Sequence, residues 1–134
     1  MRPADNANVH VVVPPLTFLV VDDDEDSRYL AGRALMNQFA TCRVIACSSA
    51  KKARSCLTRV SVDAILTDHK LGEESGIEFI RGLRQQGVTC PVVMVTASAD
   101  PEVERAAYEA GANKVFSAGR GDFTGYLHEV LSRV

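Results

Sequence analysis

Acidic side chains occur at two places where they could act together: a run of five acids at residues 22–26, and Asp68. Carboxylates this close would repel one another and raise one another's pKa, and a divalent cation relieves that conflict. A small set of carboxylate oxygens suits Mg²⁺, which keeps several waters and takes one or two carboxylates together with phosphate oxygens. The pattern therefore indicates a Mg²⁺ site with room for a phosphoryl group.

Asp68 is the best candidate for a nucleophile, since a carboxylate beside a bound cation can attack a phosphoryl group. It stands alone, whereas Asp22 and Asp23 belong to the acidic run. Thr96 offers a hydroxyl close to the end of another apolar segment. The competing interpretation of the run is a solvated helix start, because carboxylates favour helix N-termini. Five successive acids exceed what a helix cap needs, which favours metal binding.

Two kinds of segment alternate from residue 16 onward and must position these side chains. Short segments rich in β-branched residues predict strands at 16–21, 42–46, 63–67, 91–95 and 114–117. Apolar residues at helical spacing predict helices at about 26–39, 50–60, 76–86, 101–110 and 123–134. Asp100 followed by Pro101 is typical of a helix start, and Gly111 of a helix end.

This alternation predicts an α/β fold, a (βα)₅ doubly wound parallel sheet with helices on both faces. The working site of such a sheet lies at the carboxyl ends of its strands. We therefore expect Asp22, Asp23 and Asp68 to converge there, with the Thr96 hydroxyl beside them. Residues 1–15, closed by two prolines, are expected to form an N-terminal tail, and residues 16–134 one domain.

Composition excludes several classes of protein. The chain has 134 residues, 15 basic and 17 acidic, for a net charge of −2. That balance argues against a protein that coats nucleic acid or a membrane surface. The four cysteines have no metal-ligand spacing, and neither a signal peptide nor a membrane-spanning stretch is evident, so we expect a cytoplasmic protein with reduced thiols.

In the order and spacing of its motifs, the chain resembles the receiver domain of two-component response regulators. The resemblance covers about residues 16–134. It is carried by Leu19-Val20-Val21-Asp22-Asp23, by Ile65-Leu66-Thr67-Asp68 with Leu71 and Gly76 following, by Val95-Thr96-Ala97, and by Ala110-Gly111-Ala112. It implies a flavodoxin-like fold with strand order 2-1-3-4-5.

The resemblance also implies a function. Asp68 would accept a phosphoryl group from a phosphohistidine on a sensor histidine kinase or phosphotransfer protein. Asp23 and Asp68 would bind Mg²⁺ directly, Asp22 through water, and the Lys70 main-chain carbonyl would complete the set. Thr96 would hydrogen-bond the phosphoryl group and change the surface around the fourth helix, fifth strand and fifth helix for a downstream protein target, a surface through which such domains also form homodimers.

The sequence departs from the family at the end of the fifth strand. The family has a lysine followed by proline there, and this chain has Ala118 and Gly119. Lys70 is the first candidate for a replacement cation and Arg120 the second; Lys114, at the start of the strand, is expected to be too distant. The family's aromatic switch position falls on Val115, with Phe116 on the opposite face of the sheet.

Alternative functions remain open at this point. A pseudo-receiver would keep the fold as a protein-binding module that works without phosphorylation, and Ala118 favours it, whereas the acids and Thr96 oppose it. A phosphatase of the haloacid-dehalogenase type fits the spacing of Asp22 and Asp24 but lacks the other residues it needs. A calcium EF-hand is excluded because Ser27 and Arg33 replace its glycine and glutamate.

As a receiver, the chain would be no enzyme beyond catalysing its own phosphorylation and dephosphorylation. Both a free-standing receiver and part of a larger regulator or hybrid kinase fit the sequence.

Overall fold

The structure, a computed structural model, describes residues 15–97, 100–117 and 122–132. Its main sheet consists of β1 (Leu16–Val21), β2 (Cys42–Cys47), β3 (Ala64–Thr67), β4 (Val92–Thr96) and β5 (Lys114–Ser117). The strands are parallel and lie in the order β2-β1-β3-β4-β5. The predicted doubly wound sheet and its strand order are therefore confirmed.

Helices follow the strands along the chain: α1 (Glu25–Gln38), α2 (Ala50–Leu57), α3 (Gly76–Gln85), α4 (Pro101–Ala110) and α5 (Phe123–Leu131). Local sequence sets their ends. The side chains of Ser49, Asp100 and Asp122 each accept a main-chain N–H from the first turn of their helix. Gly111 ends α4 with a φ of 120°, a value that side-chain-bearing residues rarely adopt.

Two apolar layers hold these helices against the sheet, and β1 contributes to both. Phe18 and Val20 pack with Leu35 of α1 and Leu127 of α5 on one face. On the other face, Leu19 and Val21 pack in a larger cluster with residues of α2, α3 and α4, such as Ala53, Phe79 and Ala107. Because β1 is covered on both sides, all of its residues from Thr17 to Val21 are buried.

Some element boundaries differ from the prediction. β2 runs one residue further, to Cys47, and β4 is shifted by one residue, to Val92–Thr96. β3 begins one residue later, although Asp63 already bonds to β1: its side chain accepts the Thr17 N–H and its own N–H donates to the Thr17 carbonyl, each at 2.8 Å. α2 ends at Leu57, with Thr58 as its C-cap, so the apolar stripe that suggested a helix up to residue 60 continues past the helix.

A short antiparallel ribbon, which the sequence did not predict, connects β3 to α3. Lys70 pairs with Ser75 and Leu71 with Glu74, and Gly72 has a φ of 83° in the turn between the two strands. Leu71 is buried in the larger core cluster, while Lys70 is exposed. This segment, residues 70–75, is called the ribbon below. Lys70, which is two residues beyond Asp68 in the sequence, is the first residue of the ribbon.

Some predictions fall on residues outside the described ranges. These include the N-terminal tail up to residue 14, and Ala118, Gly119 and Arg120 after β5. Among the residues that the structure describes, no helix has both the length and the apolar character needed to cross a bilayer.

Candidate functional site

The ends of β1 and β3 bring the acidic residues together. These strands are neighbours, and Val21 lies opposite Thr67, so Asp22 and Asp68 leave the sheet side by side. Asp22, Asp23 and Asp68 each offer a carboxylate oxygen, and these three oxygens lie within 4.8 Å of one another. The predicted convergence of these acids is thus present in the structure, and the three residues are called the acidic cluster below.

Asp22 is held in place by main-chain hydrogen bonds. Its N–H donates to the Cys47 carbonyl at 3.1 Å, its Oδ1 accepts the Asp24 N–H at 2.9 Å, and its carbonyl accepts from Arg28 Nη1 at 2.8 Å. Burial is the main cause that raises the pKa of the Asp22 carboxyl, and the negative charges of Asp68 and Asp23 raise it further, against the hydrogen bond from Asp24. A cation bound at the cluster would relieve this conflict.

The acidic run is divided between two roles. Asp24 is the N-cap of α1, and its Oδ2 accepts the Ser27 N–H at 2.8 Å, which lowers the pKa of the Asp24 carboxyl. Glu25 and Asp26 lie in the first turn of α1, where acids interact favourably with the helix dipole. Asp22 and Asp23 alone from the run join the acidic cluster. The helix-start interpretation is therefore confirmed for Asp24, Glu25 and Asp26, whereas metal binding by Asp22 and Asp23 stays a prediction.

Asp68 is positioned by the residues on either side of it. Its N–H donates to the Val21 carbonyl at 3.0 Å, and its Oδ1 accepts the His69 N–H at 2.7 Å. The chain then returns to the same point through the ribbon, because the Gly76 N–H donates to the His69 carbonyl at 2.6 Å. A Cβ on Gly76 would lie 2.1 Å from the Asp68 carbonyl oxygen, so only glycine fits there.

Thr96 and Lys70 lie next to Asp68. Thr96, the last residue of β4, is buried, and it lines a cavity of about 300 Å³ together with Asp68, His69 and Lys70. Lys70 also lines a second cavity, of about 480 Å³, whose other wall includes Asp23. Lys114 lies at the opposite end of the sheet, as expected. Arg120, the other candidate cation, lies outside the described residues.

A third cavity, of about 320 Å³, opens on the other side of the acidic cluster. Asp22 and Asp68 line it, and the rest of its wall is mostly apolar, with residues from the strands, such as Leu66, from α1, such as Leu30, and Phe123 from α5. No local pattern in the sequence predicts this cavity, because it forms where α1 and α5, which are distant in sequence, meet the strand ends.

The cluster's chemistry suits a hard divalent cation. Within the described ranges, none of the three carboxylates forms an ion pair with a lysine or arginine side chain. The Arg28 guanidinium bonds the main-chain carbonyl of Asp22 rather than a carboxylate of the cluster. Three acidic oxygens without an organic counter-ion are the kind of ligand set that Mg²⁺ accepts, together with a main-chain carbonyl and waters.

Sequence reasoning missed four residues that shape the site. Gly76 was noted only as part of a motif, and Arg28 was not singled out. Arg54 of α2 and Glu74 of the ribbon form a bidentate ion pair, with Nη1–Oε2 at 2.8 Å and Nη2–Oε1 at 2.9 Å. Nothing in the sequence marks Arg54 and Glu74, 20 positions apart, as partners.

A family model described as response regulator receiver domain matches residues 18–117. The DNA-binding transcriptional regulator NtrC of Proteus hauseri is 30% identical over 93 residues, which are 69% of this chain and 19% of that protein. A probable cyclic di-GMP phosphodiesterase of Vibrio cholerae is 32% identical over 98 residues, 72% of this chain and 22% of that protein. The chain thus spans about a fifth of the length of these relatives.

Solved structures show the same fold. The chemotaxis protein CheY4 of Vibrio cholerae superposes with a TM-score of 0.75 at 23% identity, over 90% of this chain and 98% of that one. A response regulator receiver domain protein of Clostridium thermocellum gives a TM-score of 0.78 at 20% identity, over 88% and 95% of the two chains. At these identities, the structural likeness concerns the fold.

Proposed function

The chain belongs to the response regulator receiver domain family, and from this premise we propose that Asp68 accepts a phosphoryl group in a histidine–aspartate phosphorelay. The observation that carries the proposal is the convergence of three carboxylate oxygens within 4.8 Å at the ends of β1 and β3. In a two-component phosphorelay, the donor is a phosphohistidine on a sensor histidine kinase or a phosphotransfer protein.

Asp68 has the surroundings that a phosphoacceptor needs. The His69 N–H holds its Oδ1, which leaves Oδ2 as the attacking oxygen. Attack of Oδ2 on phosphorus breaks the P–N bond of the phosphohistidine, and the electron pair of that bond stays on the imidazole nitrogen. The product is an aspartyl phosphate, which water later hydrolyses to return the free carboxylate.

Receiver domains bind Mg²⁺ at an acidic pocket, and the donor set of this chain fits that ion. We propose Asp23 and Asp68 as direct ligands, Asp22 as a ligand through water, and the Lys70 carbonyl as the main-chain ligand. Bound there, Mg²⁺ would offset the negative charge shared by the carboxylates and the incoming phosphoryl oxygens. The main-chain hydrogen bonds to Asp22 and Asp68 fix both carboxylates before the ion binds.

Thr96 and Lys70 are proposed to contact the phosphoryl group itself. Both line the cavity of about 300 Å³ beside Asp68, where a hydroxyl donor and an ammonium could reach phosphoryl oxygens. A phosphoryl group adds charge and acceptor oxygens, and its bond to Thr96 would transmit the change along β4 to its neighbour β5. We place this switch in the cytoplasm, where a downstream protein would respond to it.

Incubation of the purified protein with acetyl phosphate and Mg²⁺, followed by intact-mass measurement, tests the proposal. Wild type should gain one phosphoryl group, and Asp68→Asn should gain none. Removal of Mg²⁺ with a chelator should also prevent labelling. Asp26→Asn is the matched control, since it removes an exposed acid from the same run without touching the cluster.

Two results would contradict the proposal. Labelling that persists in Asp68→Asn would move the acceptor to another residue. A wild type that takes no phosphoryl group, and whose partner binding is unchanged by Asp68→Ala, would instead support a binding module that works without phosphorylation.

A further inference from the structure

The ribbon forms part of the wall around the acidic cluster, and the geometry of the site therefore depends on where the ribbon lies. Lys70 lies on it and lines both the cavity shared with Asp23 and the cavity shared with Asp68 and Thr96. The ribbon has only two residues in each strand. Two-stranded ribbons of this size are not stable alone, so contacts with the rest of the protein must hold it.

The inner edge of the ribbon is fixed by burial. Leu71 is only 4% exposed and packs in the larger core cluster. The main chain after the ribbon is fixed by the bond from Gly76 to His69. The outer strand has no buried apolar side chain, because Glu74 and Ser75 are both only partly buried, and it is held at Ser75 as the N-cap of α3.

The Arg54–Glu74 pair fixes the other residue of the outer strand. Both guanidinium nitrogens of the Arg54 fork bond both oxygens of Glu74, at 2.8 and 2.9 Å, and the two side chains are 36% and 29% exposed. A bidentate pair constrains both distance and orientation, which a single contact does not. Arg54 itself lies on a helix that is held firmly by buried Ala50, Ala53 and Cys56.

The fold has little need of this pair for its own stability. α2 and the ribbon each have their own buried anchors, and partly exposed ion pairs contribute little to folding free energy. The pair instead joins a helix with three buried residues to a ribbon whose strands have one. Glu74 is directly opposite Leu71 in the ribbon and next to Ser75, the partner of Lys70, so a displacement of Glu74 would be passed to Lys70 across the ribbon.

We propose that Arg54 is a positioning residue for the Mg²⁺ site, acting through Glu74 and the ribbon to hold the Lys70 carbonyl against the acidic cluster. This inference rests on the proposed function, since it uses the Lys70 carbonyl as a ligand. It makes α2, a helix without a residue in the cluster, a determinant of metal affinity.

The sign of one substitution separates positioning from electrostatics. Arg54→Gln removes a positive charge, and charge alone would then strengthen Mg²⁺ binding. Loss of positioning predicts weaker binding instead. We expect the dissociation constant for Mg²⁺ to rise by about three- to tenfold, less than the roughly 10–100-fold that follows loss of a group bonded directly to a metal ligand.

Isothermal titration calorimetry of the 134-residue chain with Mg²⁺ measures this effect. Glu74→Gln should weaken binding to a similar extent, and the double variant Arg54→Gln, Glu74→Gln should be no worse than either single one. Arg54→Lys should fall between wild type and Arg54→Gln, because it keeps the charge and loses the fork. The exchanged pair Arg54→Glu, Glu74→Arg should recover part of the affinity.

Arg105→Gln is the matched control. It breaks the exposed contact between Arg105 and Glu109 on α4, where the closest atoms are 4.0 Å apart, and it should leave Mg²⁺ affinity unchanged. Amide hydrogen exchange adds an independent readout, because Arg54→Gln should speed exchange at Lys70 and Leu71 while α2 stays protected.

The outcomes separate this inference from the proposed function. If wild type binds Mg²⁺ and is phosphorylated on Asp68, but Arg54→Gln binds Mg²⁺ as wild type does or more tightly, the positioning role is wrong and the proposed function stands. If Arg54→Gln binds Mg²⁺ more weakly only because the variant no longer shows a cooperative thermal unfolding transition, Arg54 has a structural role and the positioning role is also wrong. A wild type that binds no Mg²⁺ overturns both.

Discussion

At the amino end of the sheet the Arg84 guanidinium donates four hydrogen bonds. At the carboxyl end three carboxylates lie together, and none of them pairs with a lysine or arginine among the residues that the structure describes. The Arg84 bonds reach the carbonyls of Gly111, Val88 and Cys90 and the side chain of Asn113, all at 2.8 to 3.0 Å. Asn113 Oδ1 also accepts the Val92 N–H at 2.8 Å. The polar groups at this end are thus used to join α3, β4 and the loop before β5.

The carboxyl end leaves its charge conflict in place. Asp22, Asp23 and Asp68 are drawn together by the pairing of β1 with β3, which the apolar strands favour regardless of the acids. The two ends differ in whether their polar groups are satisfied within the protein: those at the amino end are, whereas the acids at the carboxyl end are available to a ligand. Polar groups bonded within the protein stabilise the fold, and groups left in conflict mark a binding site.

The largest expected effect comes from Gly76→Ala. Its Cβ would lie 2.1 Å from the Asp68 carbonyl oxygen, an overlap that only a shift of the main chain can relieve. We expect a loss of about 3 kcal/mol of unfolding free energy, at the upper end of overpacking costs, together with loss of Mg²⁺ binding. Urea denaturation and metal titration measure the two effects.

Gly82→Ala, on the same helix, is the control for Gly76→Ala. Nothing lies within 4 Å of a Cβ built on Gly82. Alanine favours helices over glycine by up to about 1 kcal/mol, so this variant should be neutral or more stable. Equal effects of the two variants would show that the close approach of Gly76 to Asp68 does not constrain the site.

Arg84→Met should have the next largest effect, and at the other end of the sheet. It leaves three partly buried carbonyls without their donor, for which we expect a loss of about 2 kcal/mol in unfolding free energy. Mg²⁺ affinity should not change. Arg81→Met, at an exposed position on α3, is the control and should change neither the unfolding free energy nor the Mg²⁺ affinity. A change in Mg²⁺ affinity caused by Arg84→Met would contradict the independence of the two ends of the sheet.

Structural features that depend on interactions between residues close in sequence could be predicted from the sequence. Strand and helix periods, Asp100 before Pro101, and Gly111 act over a few residues, so the (βα)₅ order could be predicted. Parallel pairing of β1 and β3 then placed Asp22 beside Asp68.

Other features depend on contacts that have no local signal. The ribbon is too short to show a period, and Arg54 meets Glu74 across 20 residues. Whether an acid of the run caps α1 or joins the cluster depends on the backbone at Asp24, where the φ of −94° and ψ of 123° turn its side chain towards Ser27.

A smaller effect with the opposite sign is expected from Asp22→Asn in metal-free protein. The pKa of Asp22 is raised in the folded state by burial and neighbouring acids, so its ionised form destabilises the fold at neutral pH. Removing the charge should stabilise the protein by up to about 1 kcal/mol, with partial exposure limiting the gain. Asn still offers Oδ1 to the Asp24 N–H.

The pH dependence and the metal both test this sign. The gain should be full above the folded pKa of Asp22, shrink as pH falls through it, and vanish below about 3.8, where the unfolded carboxyl is also protonated. Saturating Mg²⁺ should reverse the order of stability, because only wild type keeps the full ligand set. A variant less stable than wild type in chelator would mean that the cluster is already neutralised.

The smallest expected effect comes from Asp122→Asn, which tests an acid at the same end of the sheet whose bonds are complete. Asp122 Oδ1 accepts from the Gly125 N–H and the Thr124 hydroxyl, each at 2.9 Å, and these bonds lower the pKa of the Asp122 carboxyl. The ionised form therefore stabilises the fold above pH 3.8, and that contribution is lost as pH falls through the lower, folded pKa. Thermal unfolding in chelator should show a slight loss for Asp122→Asn near neutral pH, since asparagine still caps α5, and none at the acid limit. Asp22→Asn should shift stability the other way, so the two variants should have opposite signs. The same sign for both would mean that completed hydrogen bonds do not decide whether an acid stabilises the fold or serves a ligand.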